Sequence, residues 1–244
     1  MYGIIGGSGL TSLPDLQIDH SWAVETPYGP PSGPLVTGHI GTTSLVFLPR
    51  HGDKHSIPPH QINYKANLWA LRQAGVDQII AVASVGGIRA EFGPETIVIP
   101  DQIVDYTWGR SATFFENGAE VKHVDMTEPY SGPLRRRILV ASARVGEKVF
   151  DGGVYAATQG PRLETAAEIN RLERDGADIV GMTGMPEATL ARELDIPYAT
   201  IAVVVNHAAG RGDSRTQIKF ADLESALART IARVLMVVRE VVKS

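Results

Sequence analysis

The sequence predicts an α/β fold in one domain, a β-sheet covered by helices. Short β-branched, apolar runs alternate with stretches of helical period, which is the pattern of sheets with helices packed on them. Several of those runs are apolar on both faces, as buried central strands are. No internal repeat, low-complexity tract or Gly/Ser/Pro linker divides the 244 residues.

In chain order, YGIIGG reads as a first strand leaving into a glycine-rich turn. PYGPPSGP (27–34) reads as a loop before a hairpin, and SLVFLP (44–49) as the strand that follows. A helix is expected over 63–74, then strands at QIIAVASV (78–85) and TIVIPDQIV (96–104). Residues 101–130 are polar, aromatic and without sustained period, and irregular segments of that length are usually functional or intersubunit. Helices are expected over 132–145, 165–175 and 186–194, with strands GGVYAAT (152–158) and YATIAVVV (198–205) among them. The last segment, 223–242, places apolar residues at 223, 226, 227, 231, 234, 235, 238, 241 and 242. That is one face of a 3.6-residue helix packing on the sheet.

Composition excludes several classes. With 23 Lys and Arg against 27 Asp and Glu, the net charge of −4 supplies no broad cationic field for a phosphate backbone, so nucleic acid is not an expected partner. Without cysteine there is no disulfide framework, thiolate metal site or Cys nucleophile, a usage compatible with the cytoplasm. The first residues lack the basic and apolar regions of a secretory signal. Apolar runs are far shorter than the roughly 18 residues of a membrane span. A cytoplasmic protein with no membrane partner is the expectation.

Glycine-rich strand exits recur, at IIGGSGL (4–10), SVGGIR (84–89) and GMTGMPEA (181–188). Exposed backbone N–H groups, with the Ser8 and Thr183 hydroxyls, suit an anion. A dinucleotide fingerprint fits poorly, because counting G-x-G-x-x-G from Gly7 ends on Ser12, and the P-loop lysine is missing. LPRHGDKHSIPPH collects Arg50, His51, His55 and His60, yet Pro58 and Pro59 keep His55 and His60 off a shared helical face and no HExxH accompanies them. No metal site is expected. Arg50 and His51, leaving a buried strand together, are better suited to an oxyanion: a fork of donors beside a donor able to carry a proton. Since α/β sheets bind ligands beyond the carboxyl ends of their strands, these exits would converge on one small phosphate-bearing site.

Taken together, IIGGSGL, RHGDKHSIPPHQINYKANLWAL, QGPRLET and GMTGMPEATLARE resemble the signature blocks of trimeric purine nucleoside phosphorylases and methylthioadenosine phosphorylases, in order and over nearly the whole chain. The resemblance implies a twisted mixed sheet flanked by helices, a homotrimer, and cleavage of an N-ribosidic bond by inorganic phosphate as co-substrate, with no metal or organic cofactor. Ser8, Arg50, His51, Ala83, Ser84 and Thr183 would cradle phosphate, and Met182 would hold the ribose. Two positions depart from the methylthioadenosine branch. Ser8 stands where Thr is frequent, keeping the hydroxyl, and Ala83–Ser84 stands where that branch has Thr–Ala, moving it by one residue.

The same resemblance places the base near Leu163, Glu164, Asn206, His207 and Ala208; adenine-specific branches carry Asp in the motif that here reads Asn206, His207 and Ala208. A 6-oxopurine presents acceptors at N7 and O6 and a donor at N1, so the Asn206 amide would donate to the first two and Glu164 accept from the third. Asn206, Glu164 and His51 are the expected catalytic residues. Near the 5′ end the segment RGDSRTQIKFADLE has no His. Ile218, with Phe220 next, would give an apolar wall that suits a thioether and leaves a hydroxyl unpaired. His123 resembles a residue lining the same end, where a neighbouring subunit contributes. The expected reaction is phosphorolysis of a methylthio-substituted 6-oxopurine nucleoside, with plain inosine or guanosine as the alternative.

Overall fold

The apolar runs become strands in the expected order, joined by short strands that the hydrophobic period does not mark. The structure, a computed structural model, describes residues 1–14, 16–116, 118 and 120–243. Among these, the strands are β1 (Tyr2–Gly6), β2 (Gln17–Trp22), β3 (Leu35–Ile40), β4 (Thr43–Pro49), β5 (Gln78–Gly87), β6 (Ile97–Ile99), β7 (Gln102–Asp105), β8 (Phe150–Asp151), β9 (Val154–Ala157), β10 (Ile179–Gly181) and β11 (Tyr198–His207). The helices are α1 (Tyr64–Gln73), α2 (Gly132–Arg144), α3 (Ala166–Arg174), α4 (Gly184–Glu193) and α5 (Phe220–Lys243). All the strands join one mixed sheet, and the fold is the single α/β domain expected.

Differences from the sequence reading have local causes. β2 is almost wholly exposed and has no buried face to set a period, while β8 and β10 are too short to show one. Residues 96–104 form two strands, not one. Pro100 removes a ladder donor, Asp101 turns its carboxylate to the Gly153 N–H at 2.9 Å, and the chain passes from β11, the partner of β6, to β9, the partner of β7. The 27–34 loop does lead into a hairpin, with β3 antiparallel to β4.

β5 organises the sheet. β11 runs parallel to it along one edge, from Tyr198 opposite Ile79 to His207 opposite Gly87, with a bulge between Val204 and Asn206. On the other edge β1 pairs with Gln78–Ala81, and β10 pairs antiparallel with Gly86 and Gly87. Between these pairings, residues 82–85 have a strand on one side only. Such a change of neighbour opens a crevice in α/β sheets.

Successive residues of the central strands face opposite layers, as period two requires. Ile4, Phe47, Ile80, Val82, Ile201 and Val203 pack with α2 and α5, through Ile138, Val234, Val238 and Val241. Ile5, Val46, Leu48, Ile79 and Ala81 pack with α1 and α4, through Leu68, Leu71 and Leu190. Each of the larger of these side chains contributes about 1.5–3 kcal/mol by leaving water, so the crevice rests on two well-packed layers.

Candidate active site

The gap beside residues 82–85 opens into a cleft of about 710 Å³, lined by the glycine turn after β1, the loop after β4, β5, the turn into α4, the end of β11 and the start of α5. Ser8, Arg50, His51, Ala83, Ser84, Leu163, Glu164, Met182, Thr183, Asn206, Ala208 and Ile218 all line it. His207 and His123 do not.

At the gap itself lies Arg50, fully buried. Its Nε and Nη2 donate to Glu187 Oε2 and Oε1 at 2.7 and 2.8 Å, and Nη1 donates to the Val82 carbonyl at 2.9 Å. A guanidinium has five N–H groups, so the bonds that hold it still leave others for an anion in the cleft. Tyr198 donates to Glu187 Oε1 at 2.8 Å, and Thr200 to the Tyr198 hydroxyl at 3.3 Å. The absence of a side chain at Gly7 is required here: a Cβ would lie 2.5 Å from the Val82 carbonyl oxygen and 3.0 Å from Arg50 Nη1. Ser8 Oγ lies 3.4 Å from His55 Nε2 across the mouth of this end. Thr183 precedes α4 but makes no side-chain cap bond to it, so its buried hydroxyl is not spent on the helix end.

His51 differs from the sequence expectation of a donor able to carry a proton. Its Nδ1 sits 2.8 Å from the Ile57 carbonyl, which can only accept, so Nδ1 holds the hydrogen. Burial, then the charge of Arg50, lowers its pKa to about 4. The ring is neutral at pH 7 and offers Nε2 as an acceptor. Ala83 and Ser84 also differ in setting: they lie inside β5 and not at its exit, on the stretch that lacks a second neighbour.

The opposite end holds Glu164 and Asn206. Helix α3 has its own capping box, Thr165 with Glu168, which leaves Glu164 free of capping duty. Thr158 Oγ1 donates to Glu164 Oε1 at 2.6 Å. Burial is the largest influence on this carboxyl and raises its pKa, partly opposed by the Thr158 bond. Asn206 donates one amide N–H to the His207 carbonyl at 2.5 Å, so of its two donors one is engaged. The His207 ring turns away from the cleft to the 212–213 turn, where the Asp213 N–H points to Nδ1 at 3.4 Å. Its expected place at the substrate is therefore not where its side chain lies. Ala208 is fixed by its N–H on the Gly87 carbonyl at 2.7 Å.

Met182 owes its position to Arg110, in the irregular segment. Arg110 Nη1 donates to the Met182 and Met185 carbonyls at 2.8 and 2.6 Å, and Nη2 to the Gln159 carbonyl at 2.9 Å, pinning the turn before α4 to the loop that carries Glu164. A Cβ at Gly160, whose φ is +63°, would lie 2.5 Å from Met182 Sδ. The third side of the cleft is apolar: Ile57, Pro58, Ile218, Phe220, Leu223 and Leu227, with Glu224 beside them. His123 is exposed and does not reach the cleft of its own chain. Among the described residues, no group of three or more His, Asp or Glu is placed to hold a metal.

Glu187, Arg110 and Thr158 escaped the sequence reading. Glu187 had a signal, since an Arg leaving a buried strand needs a buried carboxylate and GMTGMPEA contains one acid. For Arg110 and Thr158 the contacts are set by loops that meet only in the fold.

A crevice at a change of strand partner, with a clamped guanidinium at one end and a carboxylate and amide at the other, is an α/β ligand cleft with donors suited to an anion. The chain belongs to the phosphorylase superfamily, whose sequence model matches residues 1–243. A protein of Pseudomonas syringae pv. tomato named probable S-methyl-5′-thioinosine phosphorylase is 53% identical over 243 residues, covering 96% of this chain and 98% of its own. One of the same name from Xanthomonas campestris pv. campestris is 51% identical, over 87% and 85%. The 6-oxopurine nucleoside phosphorylase of Pyrococcus furiosus is 42% identical, over 96% and 89%. Among solved structures, methylthioadenosine phosphorylase from Schistosoma mansoni in complex with adenine superposes with a TM-score of 0.94 at 31% identity, over 99% of this chain and 90% of that one.

Proposed function

We propose that this protein catalyses phosphorolysis of S-methyl-5′-thioinosine, giving hypoxanthine and 5-methylthioribose 1-phosphate in purine salvage. The observation that carries the reading is one cleft with Arg50 at the sheet gap, Glu164 and Asn206 at a second end, and the apolar wall of Ile218, Phe220, Leu223 and Leu227 at a third. A phosphate oxygen attacks C1′, the C1′–N9 bond breaks, and its electron pair leaves with the base. Arg50, Ser8, Thr183 and the β5 backbone at Ala83 and Ser84 orient phosphate, and orientation supplies much of the barrier reduction in such a displacement. Neutral His51 accepts from the P–OH of monohydrogen phosphate through Nε2. Met182 holds the ribose, with Leu163 and Ala208 against the base. Asn206 stabilises the charge developing on the purine, and ionised Glu164 accepts from N1–H. No cofactor enters this scheme.

Homotrimer formation belongs to the same reading. His123, exposed on its own chain, would complete the 5′ end of a neighbour's cleft. The compartment proposed is the cytoplasm. No helix among the described residues is long and apolar enough to cross a membrane.

The alternative is a 6-oxopurine nucleoside phosphorylase for inosine and guanosine, and Glu224 favours it, because a carboxylate on the apolar wall could accept from a 5′-hydroxyl. Initial rates with phosphate and each of methylthioinosine, inosine, guanosine and methylthioadenosine separate the readings. Methylthioinosine is expected to give the highest kcat/KM. Preference for inosine would favour the alternative, and preference for methylthioadenosine would overturn both.

A further inference from the structure

Glu164 stands between two cavities. The residue lines the cleft described above and also a second cavity of about 290 Å³, lined by Thr158, Gln159, Arg162 and Tyr106 among others. Thr158 lines the second cavity and not the cleft, so its hydroxyl reaches the carboxylate from behind. A hydroxyl has one hydrogen to give. Glu164 Oε1 is 2.6 Å away and the other acceptor, the Gly181 carbonyl, 3.3 Å, so the hydrogen goes to the carboxylate. The donor is itself fixed. Its N–H bonds the Gly181 carbonyl at 2.8 Å, and Arg110 Nη2 donates to its carbonyl at 3.2 Å.

We propose that Thr158 is a positioning residue that sets which 6-oxopurine the site prefers: by engaging Oε1 it fixes the carboxylate and leaves Oε2 the stronger acceptor toward the base, which favours hypoxanthine over guanine. The proposal rests on Glu164 being the acceptor for N1–H. Hypoxanthine offers N1–H and a C2 hydrogen that needs no partner. Guanine adds a 2-amino group beside N1–H, and two parallel donors are best matched by two uncommitted carboxylate oxygens. With Oε1 already accepting from Thr158, the amino group meets an oxygen with one lone pair left and an orientation set by that bond, so it is paired less well, and a buried donor without a full partner is penalised. The same hydroxyl stabilises the ionised carboxylate against its burial, so it also governs the pH at which the acceptor is lost.

The test compares Thr158→Val, nearly isosteric but without a donor, with Thr158→Ser, which keeps the hydroxyl, and Thr158→Ala as a second donor-less variant. Phosphorolysis of methylthioinosine and of 5′-methylthioguanosine is followed across pH. Both donor-less variants are expected to raise the guanine-to-hypoxanthine ratio of kcat/KM at least fivefold and to move the acid limb to higher pH, while Thr158→Ser keeps wild-type values. Equal loss on both substrates with the acid limb unmoved would mean that Thr158 only supports the loop, and would overturn the proposal. Glu164→Gln separates the two levels. If it abolishes 6-oxopurine use, a wild-type ratio in Thr158→Val counts against Thr158 alone; if it changes nothing, the base-site reading fails and this proposal with it.

Discussion

Arg50 and Glu187 meet side-on, both nitrogens of one guanidinium edge on both oxygens of the carboxylate, with the two side chains 1% and 0% exposed. Because the pair is formally neutral and His51 is uncharged at pH 7, the end of the cleft proposed for phosphate has oriented N–H dipoles in place of a net positive field. Recognition there depends on geometry, and geometry depends on Glu187.

Glu187→Gln is therefore expected to raise the KM for phosphate about tenfold or more while leaving the KM for nucleoside within about twofold. Breaking a buried pair from one side typically costs about 3–5 kcal/mol, so a lower melting temperature should accompany the change. Steady-state kinetics with each substrate varied in turn, below the variant's melting transition, decide it; a parallel rise in both constants would place Glu187 outside phosphate recognition.

Asn206→Asp replaces an amide donor with an acceptor at the position proposed to face N7 and O6. The expected outcome is a loss of more than tenfold in kcat/KM for methylthioinosine, with adenine nucleosides gaining relative to it. Unchanged kinetics would mean that the end of β11 does not read the base.

Ile218→His puts a polar ring into the apolar wall. The ratio of inosine to methylthioinosine use should rise several-fold, since the ring pairs with a 5′-hydroxyl that isoleucine leaves unsatisfied. An unaltered ratio would assign the 5′ substituent to Phe220 and Leu223 instead.

His51 links stability to pH. Its folded pKa, lowered to about 4 by burial and Arg50, lies below the ordinary 6.5, so the unfolded chain binds the proton first as pH falls. The stability it contributes is present above pH 6.5 and is lost as pH falls toward 4, by up to about 3 kcal/mol. Urea denaturation at pH 7 and pH 5 should show a smaller loss for His51→Asn than for the wild type. Equal losses would show that other groups set the acid response.

The sequence made legible whatever repeats with a period or is local to a turn. β5 and β11 are long enough for burial on both faces to leave an unbroken apolar run, α5 is long enough to show a 3.6-residue period, and the glycines around Ser8 mark a turn by their chemistry. β2 left no imprint because water covers it, and β10 because three residues are too few. Arg50 could be read as an anion ligand from its place after a buried strand, and its need for a buried carboxylate pointed to the lone acid of GMTGMPEA, whereas the side-on geometry of that pair is set by the packing of α4. The ring of His207 had no role legible in the chain, because the 212–213 turn that holds it meets the end of β11 only in the fold.

The stretch of β5 that has β11 on one side and nothing on the other makes the cleft an incomplete piece of secondary structure. Along the rest of that edge, β1 and β10 satisfy the outward backbone groups; over residues 82–85 that capacity is open except where Arg50 reaches the Val82 carbonyl. An oxygen-rich ligand bound there, as proposed for phosphate, would take the part of the missing neighbour. On that reading, filling the cleft and finishing the sheet would be one event, and occupancy would add to the cohesion of the central strand β5.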